Sequence, residues 1–297
     1  MKITLILICL SFLYGIPPIL NNINNIDIDS YSVLYEKSDG KYTGNYISYY
    51  QSTGNIRAKG TLLNGKHTGS WIVNDSLGNL LIKRVYTSQN DFKQTFPLSE
   101  VTKSAELKEG TFNSMWTKRL WRHIPKENNE IIFDGYLLAG SLLKLASNNQ
   151  IKTYSPLDEE LTTSIGYDYL YYVYKKVIAF KLKEDNFYNP NTLRMETKII
   201  GICPIVEVNK KEVDLAWFYF PEFIDQLRAN STFSHQKVLN IFEARNFYSF
   251  ITKESNRNNL TLSEYKLKNN ETLAGKRERI EIGLIEKEHD FWIDQVK

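Results

Sequence analysis

Apolar and polar positions alternate most clearly between residues 180 and 221. Leu193, Met195, Thr197 and Ile199 take turns with Arg194, Glu196 and Lys198, a period of two that puts one strand face in a core and the other in water. Residues 199–206 (IIGICPIV) lose the alternation, as a stretch covered on both faces does. Gly201 within that run marks a bulge or a close backbone approach. Residues 180–190 precede this stretch and residues 215–221 follow it, each closed by proline or an Asn/Asp cluster. The pattern predicts three consecutive strands. Branched and aromatic side chains dominate, so the region reads as a core presenting an aromatic surface rather than as a reaction centre.

Elsewhere the period changes to that of a helix. Leu137, Leu138, Ser141, Leu142 and Leu145 share one face, with Asp134 placed to cap and Asn148-Asn149 placed to stop. Val238, Ile241, Phe242, Tyr248 and Ile251 predict a second helix, capped by Thr232 or Ser234 and running to about Glu254, with Arg245 beside Phe242 and Ser249. Leu273, Ile280, Leu284 and Phe291 predict a final amphipathic helix whose alternating charges form a solvated face. The Tyr-rich stretch 162–174 reads as helix, and 222–227 as a short helix or turn.

The first third of the chain carries a repeat. Gly40-Lys41-Tyr42-Thr43-Gly44-Asn45-Tyr46 recurs as Gly65-Lys66-His67-Thr68-Gly69-Ser70-Trp71, and Gly54-Asn55-Ile56 as Gly78-Asn79-Leu80. Repeats at this spacing are stacked supersecondary units. Glycine-bounded aromatics followed by a Gly-Asn turn predict hairpins with Tyr46 and Trp71 on one sheet face. The pattern resembles MORN-type repeats, also found in YwqK-like proteins. A lipid- or protein-binding ribbon and a purely structural appendage both fit; basic residues for a lipid surface are few, namely Lys59, Lys66, Lys83 and Arg84.

Residues 1–16 start with Lys2 and continue as an apolar run, the pattern of a secretory signal peptide; an uncleaved anchor is the alternative. Cys9 lies inside that run, so no lipoprotein signal is expected, and cleavage leaves Cys203 alone, with no intrachain disulfide. Its apolar strand makes Cys203 a small core residue rather than a reactive thiol. The expected organisation is a signal peptide (1–16), a tether (17–32), a hairpin-repeat module (33–86), a polar linker (87–111) and a larger domain (112–297). The fold class is α+β, a small antiparallel β-hairpin repeat module followed by a mixed α+β domain.

The 297 residues carry a net charge of +3, which selects neither nucleic acid nor an acidic partner. Histidines 67, 123, 235 and 289 lie far apart and lack metal-site spacing. No nucleophile elbow, P-loop or dinucleotide fingerprint occurs. Glu184-Asp185 is the most suggestive acidic pair, but neighbours on a strand point to opposite faces. A hydrolase would need one of them to converge with His123 or His235. No catalytic residue, metal or cofactor is expected.

Several stretches carry a resemblance. Lys183-Glu184-Asp185-Asn186-Phe187-Tyr188 and the following Met195 to Pro204 (METKIIGICP) resemble the GldN/PorN family pattern K-E-D-W-F-F-D and R-I-I-G-I-A-P, with Asn186 in place of Trp and Lys198 in place of Arg. Leu120-Trp121-Arg122-His123-Ile124 is similar to the family's W-R-x-I-D opening. Trp217-Phe218-Tyr219-Phe220-Pro221-Glu222, residues 242–251 and Lys253-Glu254-Ser255-Asn256 continue the match, which covers about residues 112–297. The resemblance implies a non-enzymatic periplasmic component of gliding motility and type IX secretion. It also implies assembly with a ring-forming outer-membrane lipoprotein as a homo- or hetero-oligomer, without cofactor or nucleic acid. Candidate interface residues are Trp121, Arg122, Trp217, Phe218, Tyr219, Phe220 and Arg245, with Tyr46 and Trp71 in the repeats. Trp and Arg dominate binding hot spots; the competing expectation is that Trp116 and Trp121 both fill the core while Arg122 pairs with an acid. A different reading makes the repeats a binding module for a protein or lipid partner, antitoxin-like or envelope-anchoring, with the larger domain as scaffold.

Overall fold

The computed structural model describes residues 33–34, 37–38, 41–88, 91–95, 116–158, 160–166, 171–190, 192–229, 233–255, 261–263 and 271–294. The expected signal peptide and tether lie outside them. The fold is α+β and divides into two compact units, one reaching Glu100 and one beginning at Val101.

The first unit contains β1 (Val33–Leu34), β2 (Lys37–Ser38), β3 (Lys41–Tyr42), β4 (Gly44–Tyr49), β5 (Ile56–Leu63), β6 (Lys66–Asn74), β7 (Leu80–Tyr86) and β8 (Phe92–Thr95). Six of these form one antiparallel sheet in the order β1-β4-β5-β6-β7-β8, and β2 pairs β3 apart from it. The repeat is visible in the turns: Gly54 N–H donates to Tyr50 O at 2.7 Å and Gly78 N–H to Asp75 O at 3.1 Å, both glycines at positive φ. Tyr46, Ala58, Leu62, Trp71, Val73 and Ile82 are buried. The Trp71 indole lies on Gly60, where any Cβ would come within 2.1 Å of the ring. Its Nε1–H donates to the Thr61 and Thr68 carbonyls, both at 3.0 Å. The sheet also extends into the stretch read as linker. Phe92–Thr95 pairs with Tyr86–Lys83, and the Phe92 ring packs on Tyr86 and under the Arg84 guanidinium. Four residues with one apolar member are too short for a legible period.

The second unit contains β9 (Thr117–Pro125), α1 (Glu130–Phe133), α2 (Leu137–Ser147), β10 (Thr153–Tyr154), β11 (Val177–Asn189), β12 (Arg194–Val208), β13 (Lys211–Asp214), β14 (Trp217–Tyr219), α3 (Phe220–Ala229), α4 (Phe233–Glu243), β15 (Phe250–Glu254) and α5 (Leu273–Asp294). Its antiparallel sheet runs β10-β14-β12-β11-β9-β15, with β13 also on β12. The three expected strands are β11, β12 and β14, and a further short strand, β13, lies between the last two. Gly201 meets both sequence expectations. The register slips between Lys183↔Gly201 and Glu184↔Ile199, leaving Ile200 as a bulge, and a Cβ on Gly201 would lie 3.1 Å from the Trp217 ring. One sheet face carries the main core, in which Leu138, Leu142, Phe180, Leu182, Ile202, Phe218, Phe223, Leu239 and Phe242 pack together.

Helix ends explain where the sequence reading held and where it did not. α2 stops at Asn149 (φ +58°), with Gln150 N–H to Leu145 O and Asn149 N–H to Ala146 O both at 2.9 Å, a Schellman motif. The same motif ends α4. Arg245 (φ +50°) donates its N–H to Phe242 O, and Asn246 N–H donates to Ile241 O. The helix expected to reach Glu254 therefore ends at Glu243, and Phe250–Glu254 is an edge strand on β9. The described part of the Tyr-rich stretch is loop at 162–166, followed by a 3-10 turn over Tyr171–Lys176. On α5 the charges are not all solvated: Lys276, Glu286, Glu288 and His289 are buried.

Candidate interaction surface

β9 and β11 run side by side with Arg122 opposite Leu182, Trp121 opposite Lys183, Leu120 opposite Glu184 and Arg119 opposite Asp185. The two-residue period sorts these into two faces. On the helix-covered face, Glu184 is fully buried. Arg122 Nε donates to Glu184 Oε1 at 2.5 Å, Arg245 Nη2 donates to Oε2 at 2.7 Å, and Arg122 Nη1 reaches Glu281 Oε1 of α5 at 2.9 Å. Two strands, the cap of α4 and the C-terminal helix thus meet in one chain of ion pairs. Burial pushes that carboxyl up, but the Arg122 and Arg245 charges and their hydrogen bonds outweigh it and hold Glu184 at about 2. The Arg122 guanidinium is pushed down by burial and, more strongly, up by Glu184 and Glu281.

The other face carries Trp121, Lys183, Cys203 and Trp217, all buried. The Lys183 ammonium lies 5.9 Å from the Trp121 ring centre and 5.3 Å from that of Trp217, and Lys253 lies 4.6 Å from Trp121. These are cation–π distances. Tyr154 and Leu161 pack against this cluster. Arg119 holds Asp185 in a two-pronged pair at 2.7 and 2.9 Å.

The expected interface residues are therefore placed as follows. Trp121, Trp217, Phe218 and Phe220 are core side chains, as are Tyr46 and Trp71 in the first unit. Arg122 and Arg245 are engaged on Glu184. Only Tyr219, 37% exposed, faces solvent. Their burial has a physical reason: large aromatic and guanidinium groups serve a sheet packed on both faces as well as they serve a partner. Glu184 and Asp185 do point to opposite faces, each neutralised by arginine. His123 shares the face of Asp185, not of Glu184, and is paired opposite Lys181, four residues and roughly 13 Å along the strand. The convergence a hydrolase would need is absent at His123 among the described residues.

The apolar groups that do reach solvent in this unit were missed by sequence reasoning: Leu157 (93% exposed), Ile131, Val208 and Val213. Leu157 stands alone between Pro156 and Asp158 in a turn cluster. Val208 precedes Asn209-Lys210, a two-residue hairpin turn whose asparagine was the available signal.

Charged groups paired with one another across several elements, with the aromatics in the core, tie the sheet of this unit to its helices. Residues 110–293, more than half of the chain, match the family described as gliding motility associated protein GldN, and the chain belongs to that family. It is thereby a member of a family of gliding-motility and type IX secretion components. No curated protein matches the chain.

Proposed function

We propose that this protein is a non-catalytic periplasmic subunit of a gliding-motility and type IX secretion assembly, acting with a ring-forming lipoprotein at the outer membrane. The observation that carries this reading is the family match over residues 110–293. The interior of that region fits it, with the Arg122, Glu184 and Arg245 side chains paired across β9, β11 and the end of α4. The apolar start of the chain after Lys2 supports export, and among the described residues no helix is long and apolar enough to cross a membrane. The test is crosslinking in the native envelope followed by mass spectrometry. Recovery in a high-mass complex with a lipoprotein and other type IX components is expected; recovery as a soluble monomer overturns the proposal.

A second reading is favoured by the first unit being compact with its own buried aromatics. There the repeats hold a protein or lipid partner and the larger unit is scaffold. Deleting residues 33–86 distinguishes the two: it leaves assembly intact under the first reading and abolishes partner binding under the second.

A further inference from the structure

Leu157 sits in a loop that is tied by its own hydrogen bonds. Asp158 accepts hydrogen bonds from the backbone N–H groups of Glu160 at 2.9 Å, Thr162 at 2.6 Å and Thr163, and from the Thr162 hydroxyl at 3.0 Å. Ser155 N–H to Thr163 O closes the base at 2.9 Å, and Leu161 anchors the loop on the Trp121–Trp217 cluster. Single exposed apolar side chains are ordinary. An apolar side chain held almost wholly in water by a pre-ordered loop is not, because the ordering cost of binding is already met. The rim of this loop is acidic, with Asp158 and Glu160, and Glu160 reaches Arg119 at 3.5 Å.

The second feature is a ribbon of the same sheet. β12 and β13 continue past Val177, the first residue of β11, as a two-stranded ribbon, with Val206↔Val213 at its base and Val208↔Lys211 beside its turn. Asn209 (φ +52°) and Lys210 (φ +63°) make its turn, a backbone suited to a tight type I′ hairpin. Val208 (48% exposed), Lys211 and Val213 (42% exposed) share one side with Lys210 at the tip, while Glu207 and Glu212 take the other.

Resting on the assembly reading above, we infer that the Leu157 loop of one copy docks on the Val208–Val213 side of the ribbon of a second copy. An acidic-rimmed apolar knob meets an apolar face flanked by Lys210 and Lys211. The two surfaces differ, so the contact is heterologous. Such contacts close into rings or extend as filaments.

The test uses purified full chain in sedimentation velocity across a concentration series. Leu157→Asp and a Val208→Asp/Val213→Asp double variant both alter exposed positions, and circular dichroism checks that each stays folded. Self-association of the unaltered chain is expected, weakened roughly tenfold or more in either variant. Mixing the two variants is expected to restore a one-to-one pair that grows no further, since one supplies an intact ribbon and the other an intact loop. A photo-crosslinker at position 157 is expected to join the 207–213 peptide of another copy, resolved by mixing heavy- and light-isotope chains. A monomeric unaltered chain, variants that associate as it does, or a mixture that fails to pair each overturn the inference. If association follows this pattern but no envelope complex is found, only the proposed function falls. If the complex is found and the variants change nothing, only this contact falls.

Discussion

Arg245 places its guanidinium 2.7 Å from the fully buried Glu184 carboxylate while its own backbone stands in the left-handed conformation that ends a helix. A residue other than glycine in that position carries strain, so the ion pair and the cap oppose each other. Arg245→Ala is expected to cost about 2 kcal/mol, from a charged hydrogen bond lost at a buried acid. Arg245→Gly loses the same bond but relieves the backbone, and should be about 1 kcal/mol more stable than the alanine variant. Glu184→Ala leaves Arg122 buried with only part of its compensation and should cost about 3–5 kcal/mol. Urea denaturation of the three variants measures the order; equal stability of the Gly and Ala variants would contradict the strained cap.

Acid should act through the same carboxylate. The folded Glu184 carboxyl binds its proton near pH 2, against an ordinary value of 4.5, because the two arginine charges outweigh burial. Protonation therefore favours the unfolded chain. The contribution is complete above about pH 4.5 and lost as pH falls through about 2. His123 is also lowered, by burial first, against its ordinary 6.5. Stability from this neutral imidazole is present above 6.5 and declines below it. The urea midpoint followed against pH should show both windows, with Glu184→Gln flattening the lower one and His123→Gln the upper one.

Gly60 is a steric requirement of the first unit. A Cβ there would fall 2.1 Å from the Trp71 ring, so Gly60→Ala must displace the indole from its two carbonyl acceptors. Overpacking of this kind costs about 1–3 kcal/mol or more. A red-shifted Trp emission and a lower melting midpoint are expected, with partial recovery in Gly60→Ala/Trp71→Leu. Unchanged emission in the single variant would show that the ring does not rest there.

Cys203 is buried in β12, and burial pushes its thiol well above the ordinary range. Alkylation at Cys203 in the native protein, read by peptide mass spectrometry, should be negligible and become rapid in denaturant. Fast labelling under native conditions would mean that this part of the sheet opens readily.

Much of the architecture was legible in residue periods. Alternation marked β11 and β12, the shifted glycine-aromatic pattern marked the hairpins, and the leucine face with its Asn-Asn stop marked α2, because each signal is local. β15 was not legible. Tyr248 and Ile251 continue the spacing of α4, and only the turn at Arg245-Asn246, together with the open edge of β9, makes Phe250–Glu254 a strand. β8 was missed because four residues carry too little pattern to register.

The interface residues show the same division. The sequence alone determined that Trp121, Arg122, Trp217 and Arg245 are unusual, that Glu184 and Asp185 face opposite ways, and that Gly201 admits a close neighbour. Whether those groups meet water, one another or a partner was decided only by the tertiary structure. Burial and ion pairing join β9, β11, the end of α4 and α5, which lie far apart in the chain, and no local pattern reports such distances. The same packing that takes the aromatic ridge inside leaves Leu157 and the Val208–Val213 ribbon outside, because a side chain's exposure is set by which distant elements reach it.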